Sequence, residues 1–216
     1  AFNAYQDEDA DGGSGTTEGV GGSARVIFSP SLSEDVTLHV GGSALVTGGI
    51  EGRNRVRVRA AGHLSDASRP DIVNINTGER SESTIFALEF ASIAGPLSVQ
   101  AEYLGGTFET ETVEQDVAAF YATTSYFLTG ESRPFNAKTG KFGRVKPRKP
   151  HGAYEIAARY DYVENDSNDF EVESVTLGLN WYMMLQVRFM LNYIAADVAE
   201  GSDEPNAVTA RMQFDF

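Results

Sequence analysis

Arg53, Arg55, Arg57 and Arg59 stand at every second position of one short run, with Val56, Val58 and Ala60 alternating with them. In a strand, successive side chains point to opposite faces, so the four guanidinium groups share one face and the apolar residues the other. A guanidinium is a planar fork of donors that matches an oxyanion. A row of them offers a passing anion a series of stations, each weak enough to release it to the next. A second basic segment, 129–151, carries Arg133, Lys138, Lys141, Arg144, Lys146, Arg148 and Lys149. Four and seven make eleven of the chain's seventeen Lys and Arg, so two short stretches decide where anions are drawn. The expected anion-binding residues are Arg53, Arg55, Arg57, Arg59, Lys138, Lys141, Arg144 and Lys146. Two plainer readings stand beside this one. The arginines could pair with acids such as Glu89, Glu102 or Glu155, and 129–151 could be a solvated loop with no part in transport.

Other chemistry finds less support. The net charge of −14 argues against nucleic-acid binding, which needs a basic face to neutralise phosphates. Asp7, Asp9 and Asp11, with Gly12 and Glu18, satisfy the spacing of a calcium-binding loop. Ser14 stands where such a loop has an apolar residue, however, and no flanking helix is expected; an acidic surface loop explains the same residues. His39, His63 and His151 are isolated and show no metal-ligand spacing. With no cysteine, disulfides and thiolate chemistry are excluded. No nucleophile elbow or phosphate-cradling loop is present. No catalytic residue, metal or cofactor is therefore expected.

The elements that must position the basic residues are strands. The chain has 216 residues and a mean hydropathy of −0.26, and no stretch approaches the roughly 18 apolar residues of a spanning helix. A spanning strand needs only about 9–11 residues, alternate ones apolar. Val208, Ala210, Met212, Phe214 and Phe216 alternate with Thr209, Arg211, Gln213 and Asp215. Val187, Phe189, Leu191 and Tyr193, then Val175, Leu177, Leu179 and Trp181, then Tyr154, Ile156, Ala158, Tyr160 and Tyr162 repeat the pattern. Earlier candidate strands are 19–29, 36–47, 54–64, 83–94, 97–105 and 117–128, with a stub at 1–6. Tight connections at Gly95-Pro96 and Met183-Met184-Leu185 contrast with polar ones at 65–82, 106–116, 164–172 and 196–206, the asymmetry of a membrane barrel. Tyr126, Phe127, Tyr154, Trp181, Tyr182, Phe214 and Phe216 lie near the tight-turn ends, where an aromatic girdle would meet lipid headgroups. A final aromatic, Phe216, closing an amphipathic strand is the expected mark of outer-membrane assembly. The predicted fold is all-β, a transmembrane antiparallel barrel with about ten strands in this chain. A soluble β-sandwich is the alternative.

The chain resembles the phosphate-selective porin O/P family. Tyr126-Phe127-Leu128-Thr129-Gly130-Glu131-Ser132-Arg133-Pro134-Phe135 carries the strongest match, followed by Gly140-Lys141-Phe142-Gly143-Arg144-Val145-Lys146-Pro147. Gly152 to Tyr160, Thr176 to Tyr182 and Arg188 to Tyr193 continue it. Weaker matches lie at Arg25 to Pro30, His39 to Ser43, Gly95-Pro96 and Gln100 to Tyr103. The resemblance implies a barrel of the porin type with sixteen strands, assembled as a homotrimer and selective for phosphate or polyphosphate. It also implies inner-face roles for Arg55, Arg57 and Arg59 and an inward-folded 129–151 turn. Only the C-terminal half or so of the family is matched. The expectation is therefore that residues 1–216 form one barrel unit, the C-terminal part of a larger barrel, with Ala1-Phe2-Asn3 reading as the inside of a strand.

The expected function is an outer-membrane pore for passive diffusion of small inorganic anions, with phosphate as the candidate ion and membrane lipid around the wall. The alternative is a barrel that anchors or partners a larger envelope assembly; an enzyme on a barrel is the third reading. Strand direction exposes one inconsistency. Counted back from the C-terminus, residues 7–18 fall on the side of the tight turns, although their length and acidity suit the opposite side. On that count, one element between 48 and 82 is miscounted.

Overall fold

A computed structural model describes residues 2–8, 16–33, 35–51, 54–57, 71–168, 170–198 and 206–215. Period-two alternation becomes an antiparallel sheet of ten strands, and no helix occurs among the described residues. In chain order they are β1 (Phe2–Glu8), β2 (Thr16–Phe28), β3 (Val36–Glu51), β6 (Arg80–Ala94), β7 (Leu97–Glu109), β8 (Glu114–Phe127), β11 (Ala153–Asn165), β12 (Phe170–Met184), β13 (Val187–Val198) and β14 (Asn206–Phe214). Each pairs with the next, in the order β1-β2-β3-β6-β7-β8-β11-β12-β13-β14. Among the described residues the sheet is not closed: β1 and β14 are its two edges. Two short hairpins stand apart from it, β4 (Asn54–Arg57) with β5 (Asp71–Ile75), and β9 (Phe135–Asn136) with β10 (Lys141–Phe142).

The two faces of the sheet are inverted relative to a water-soluble protein. Phe86, Leu88 and Phe90 on β6, Val175, Leu177 and Leu179 on β12, Phe189, Leu191 and Tyr193 on β13, and Val208, Met212 and Phe214 on β14 share one face and are exposed, Leu177 at 54% and Met212 at 52%. A continuous apolar surface of this extent has no place in water. Lipid is the solvent that makes it favourable, and a sheet satisfies its backbone groups there through its ladder. The opposite face carries Arg25, Glu89, Glu102, Glu155, Arg159, Asp161 and Arg188. A soluble sandwich would bury the apolar face and expose the charged one, so this distribution excludes it.

Two expectations are corrected here. The run 54–64 is not a wall strand: residues 54–57 form β4, paired with β5 in a separate two-stranded sheet, and 58–64 lie outside the described residues. Removing that element leaves ten strands and resolves the inconsistency in direction. The strand ends at Glu8 and Thr16, Glu51 and Arg80, Glu109 and Glu114, Asn165 and Phe170, and Val198 and Asn206 now share one end of the sheet, and those at Phe28 and Val36, Ala94 and Leu97, Phe127 and Ala153, and Met184 and Val187 share the other. The second correction concerns the aromatic girdle. Phe127 and Tyr182 face inward and are buried, whereas Tyr126 and Phe214 are exposed. Adjacent residues of a strand point to opposite faces, so Tyr126-Phe127 and Trp181-Tyr182 each contribute one aromatic outward and one inward. Outside, Tyr154 and Trp181 stack with ring centroids 5.9 Å apart. Phe216 lies outside the described residues.

Candidate functional site

The inner face holds two inserted segments, one from each end of the sheet. At the turn end, residues 128–152 leave β8 and return to β11. Thr129 accepts the Tyr154 amide at 3.1 Å and donates to Glu131, whose other carboxylate oxygen accepts the Arg148 amide at 3.1 Å. Glu131 is 1% exposed. Burial alone would disfavour its charge, but the hydrogen bonds from Thr129 and the Arg148 amide outweigh it and hold the carboxyl below its ordinary range. Val145 packs with Phe127, Ala153 and Tyr182 in a buried cluster. The base of the segment is thus fixed to β8, β11 and β12.

Its tip crosses to β2 and β3. The β9–β10 hairpin turns at Asn136, whose carbonyl accepts the Thr139 amide at 3.2 Å and the Gly140 amide at 2.8 Å, while its side chain accepts the Lys138 amide at 3.0 Å. Gly140 has φ 64°. A Cβ there would stand 2.9 Å from His39 Cε1 and 3.0 Å from Arg25 Nη2, so both the backbone conformation and the space require glycine. Phe135 meets the His39 ring edge-on at 5.2 Å and Phe142 at 5.2 Å. The Arg133 guanidinium lies 4.7 Å from the Phe142 ring centroid, and Arg144 stands 3.7 Å from Asp215. The segment therefore touches β3 at one side and the residue following β14 at the other.

At the opposite end, the β4–β5 hairpin packs on the inner face. Ile72, Val73 and Ile75 are buried against Phe108, Val117, Phe170, Val172 and Ala196, with Val56 beside them. Burying each such aliphatic side chain contributes about 1.5–3 kcal/mol. Asn165, fully buried, donates its amide to the Ile72 carbonyl and to Gln115 Oε1, the latter at 3.3 Å.

Between the inserts the inner wall is charged and cross-paired. Arg25 on β2 donates to Glu89 on β6 through Nε at 2.8 Å and Nη2 at 2.6 Å. The pair spans the intervening strand β3, and the Glu89 side chain occupies the space where a Cβ of Gly41 would lie. His39, 3% exposed, exchanges a hydrogen bond with Ser29 at 2.6 Å and places Nε2 3.5 Å from Glu89. Arg159 donates to Asp161 at 2.8 Å and lies over the Tyr121 ring, 3.8 Å from its centroid. Glu155, 1% exposed, accepts from Asn180 at 2.9 Å and the Tyr182 hydroxyl at 2.8 Å, with Arg133 at 3.5 Å.

Of the residues singled out from sequence, Arg55 is on β4 and donates to Asp71 at 2.7 Å. Arg57 belongs to the same strand, while Arg53 and Arg59 lie outside the described residues. The apolar residue between them, Val56, meets the buried cluster around Ile72 and not lipid. Lys138, Lys141, Arg144 and Lys146 are exposed. Among the described residues, no carboxylate forms an ion pair with any of the three lysines. Glu89 and Glu155 do pair with arginines, but with Arg25 and Arg133 instead of the β4 row. For the calcium-loop spacing, Asp7 and Glu18 lie in the paired strands β1 and β2, where such a loop has helices; Asp9 and Asp11 lie outside the described residues. Arg25 and Arg188 belong to neither basic cluster of the sequence. Each sits in the polar half of an alternating strand, which was the available signal.

An open antiparallel sheet with a lipid-compatible outer face, a charged inner face and inward-folded connections defines a membrane barrel wall of the porin kind. The profile of the family described as phosphate-selective porin O and P matches residues 2–216, and the chain belongs to that family. Membership places it in the bacterial outer membrane. Porin O of Pseudomonas aeruginosa is 30% identical over 166 residues, 67% of this chain and 38% of that protein. The chain thus aligns with about two fifths of the length of the curated relative. The solved structure of outer-membrane expressed OmpT of Vibrio cholerae covers 88% of this chain and 53% of its own, with a TM-score of 0.46 and 14% identity, a likeness too slight to argue from.

Proposed function

We propose that the protein is a passive outer-membrane pore for small inorganic anions, phosphate among them, with the inner face of the sheet as the ion path. One observation carries this reading: in a chain of net charge −14, Lys138, Lys141, Arg144 and Lys146 stand exposed on a segment folded across the inner face. Fixed positive charge in a water-filled passage raises the local concentration of anions and excludes cations. Arg55 and Arg57 stand on β4, in the hairpin at the other end, and together with Arg53 and Arg59 of the same sequence run they are proposed as its complement there. The ten strands are proposed as part of a larger barrel wall, in keeping with the unpaired edges of β1 and β14, and the assembly as a homotrimer.

The test is the reversal potential of the full-length protein in a planar bilayer under a chloride gradient. Anion selectivity that falls when Lys138, Lys141 and Lys146 are changed to Glu supports the proposal. Cation selectivity in both proteins overturns it. A second reading, an envelope anchor whose conduction is incidental, is favoured by the two inserts that occupy the inner face and by the cross-pairing of Arg25, Arg55 and Arg159 with acids. Absence of any conductance would decide for it.

A further inference from the structure

Near the turn end, the 128–152 segment and the ends of β12, β13 and β14 enclose a cleft of about 280 Å³ lined by Arg133, Arg144, Arg188, Tyr182, Gln213 and Asp215. Three guanidinium groups face one space, and their partners differ. Arg188 has neutral ones: it donates to the Tyr182 hydroxyl at 3.3 Å and to Gln213 Oε1 at 3.0 Å, and its guanidinium lies 5.5 Å from the Tyr182 ring centroid. No carboxylate among the described residues is within ion-pair distance of it. Arg133 is held from behind by Glu155 at 3.5 Å, and Arg144 stands 3.7 Å from Asp215. Asp215 is itself held at the rim, its carboxylate accepting from Gln213 Nε2 at 3.0 Å and its amide donating to the Gln186 carbonyl at 2.9 Å. Among the described residues, three positive charges thus meet two carboxylates, Glu155 and Asp215, and one positive charge is left over.

We propose that this cleft is a binding site for one phosphate-class oxyanion, with Arg188 as its principal ligand and Arg133 and Arg144 as its flanking donors. The chemistry selects an oxyanion over a spherical halide, because a guanidinium fork bonds two oxygens of the same group at once. Tyr182 holds the Arg188 plane in place, so little side-chain entropy is lost when the anion arrives. Asp215 is the built-in competitor: an arriving oxyanion takes over the Arg144 contact that the carboxylate now occupies, which keeps residence short. The site lies beside the inserted segment at the turn end, where ions would leave or enter the path. The inference rests on the pore reading only for that placement; binding itself does not depend on conduction.

The test uses the full-length protein, titrated with inorganic phosphate by calorimetry in detergent, and phosphate inhibition of chloride current in bilayers of zwitterionic lipid. Arg188→Gln is expected to weaken phosphate binding about tenfold or more, the loss of a charge-assisted contact. Asp215→Asn is expected to tighten it severalfold, a gain that misfolding cannot mimic. An Arg188-dependent effect seen only when anionic phospholipid is present assigns the same oxyanion site to a lipid headgroup instead of free phosphate. An anion-selective pore whose phosphate affinity is unchanged by both variants, with or without anionic lipid, overturns this inference and leaves the pore reading intact. Arg188-dependent binding in a protein that conducts no anions supports the site and overturns the pore reading alone.

Discussion

The Glu89 side chain lies directly over Gly41, in the space that any larger residue there would fill with its Cβ. That position lets a carboxylate on β6 reach Arg25 on β2 across the full width of β3. Gly41→Val is therefore expected to displace Glu89 and break the bidentate pair. The folded protein should then lose heat resistance on gel electrophoresis, and its anion selectivity should rise as Arg25 is released. Glu89→Gln should raise anion selectivity in the same way without the steric cost. Unchanged reversal potentials in both variants would show that Arg25 and Glu89 do not face the ion path.

The basic residues are expected to contribute unequally. Arg55 is already compensated by Asp71 at 2.7 Å, whereas Lys138, Lys141 and Lys146 have no ion-pair partner among the described residues. Arg55→Ala should shift the reversal potential less than Lys138→Glu, Lys141→Glu and Lys146→Glu combined. The larger shift should also shrink as salt is raised, since exposed charges are screened over about 10 Å at 0.1 M. Equal shifts would place the selectivity in the β4 connection.

Gly140 holds the tip of the inserted hairpin against β2 and β3. Gly140→Val combines a left-handed backbone costing about 1–2 kcal/mol in a non-glycine residue with contacts of 2.9 Å to His39 and 3.0 Å to Arg25. The tip should lift away, and single-channel conductance should increase while the rest of the wall stays folded. Conductance identical to wild type would mean that the tip does not narrow the path.

Glu131 links the base of the same segment to pH. Its carboxyl is held below the ordinary range by Thr129 and the Arg148 amide, against the effect of burial. A folded value lower than the unfolded one means the ionised form is favoured by folding. Its contribution is complete above the ordinary Glu value, about 4.3, and is lost as pH falls through the lower folded value. Amide exchange across 128–152 should accelerate in that acidic window. Glu131→Gln should remove the pH dependence while leaving the segment less protected at pH 7.

Much of the wall was legible in the sequence because alternation reports directly on the face of a strand. Val208 to Phe214 and Val187 to Tyr193 became β14 and β13 with the expected faces outward, and Gly95-Pro96 became a tight turn. The failures share a cause. Alternation tells which residues share a face and not what that face touches: Val56, opposite the arginine row, meets Ile72 and its neighbours. The same limit applies to Phe127 and Tyr182, whose place near the tight-turn ends suits a girdle but whose neighbours Tyr126 and Trp181 hold the outward positions. The seat of Gly140 on His39 joins residues about a hundred positions apart, and no local pattern encodes such a contact. Arg188 was hidden in the polar half of a strand because its distinction lies in its neutral partners, which only packing assembles.

The inserted segment is rooted at β8 and β11, rests on His39 of β3 and approaches Asp215 beyond β14. It is thus a strut braced against wall strands far apart in the sheet. One covalent length of chain thus ties the shape of the wall together: any flattening of it must first pull the tip from His39 or draw Arg144 away from Asp215.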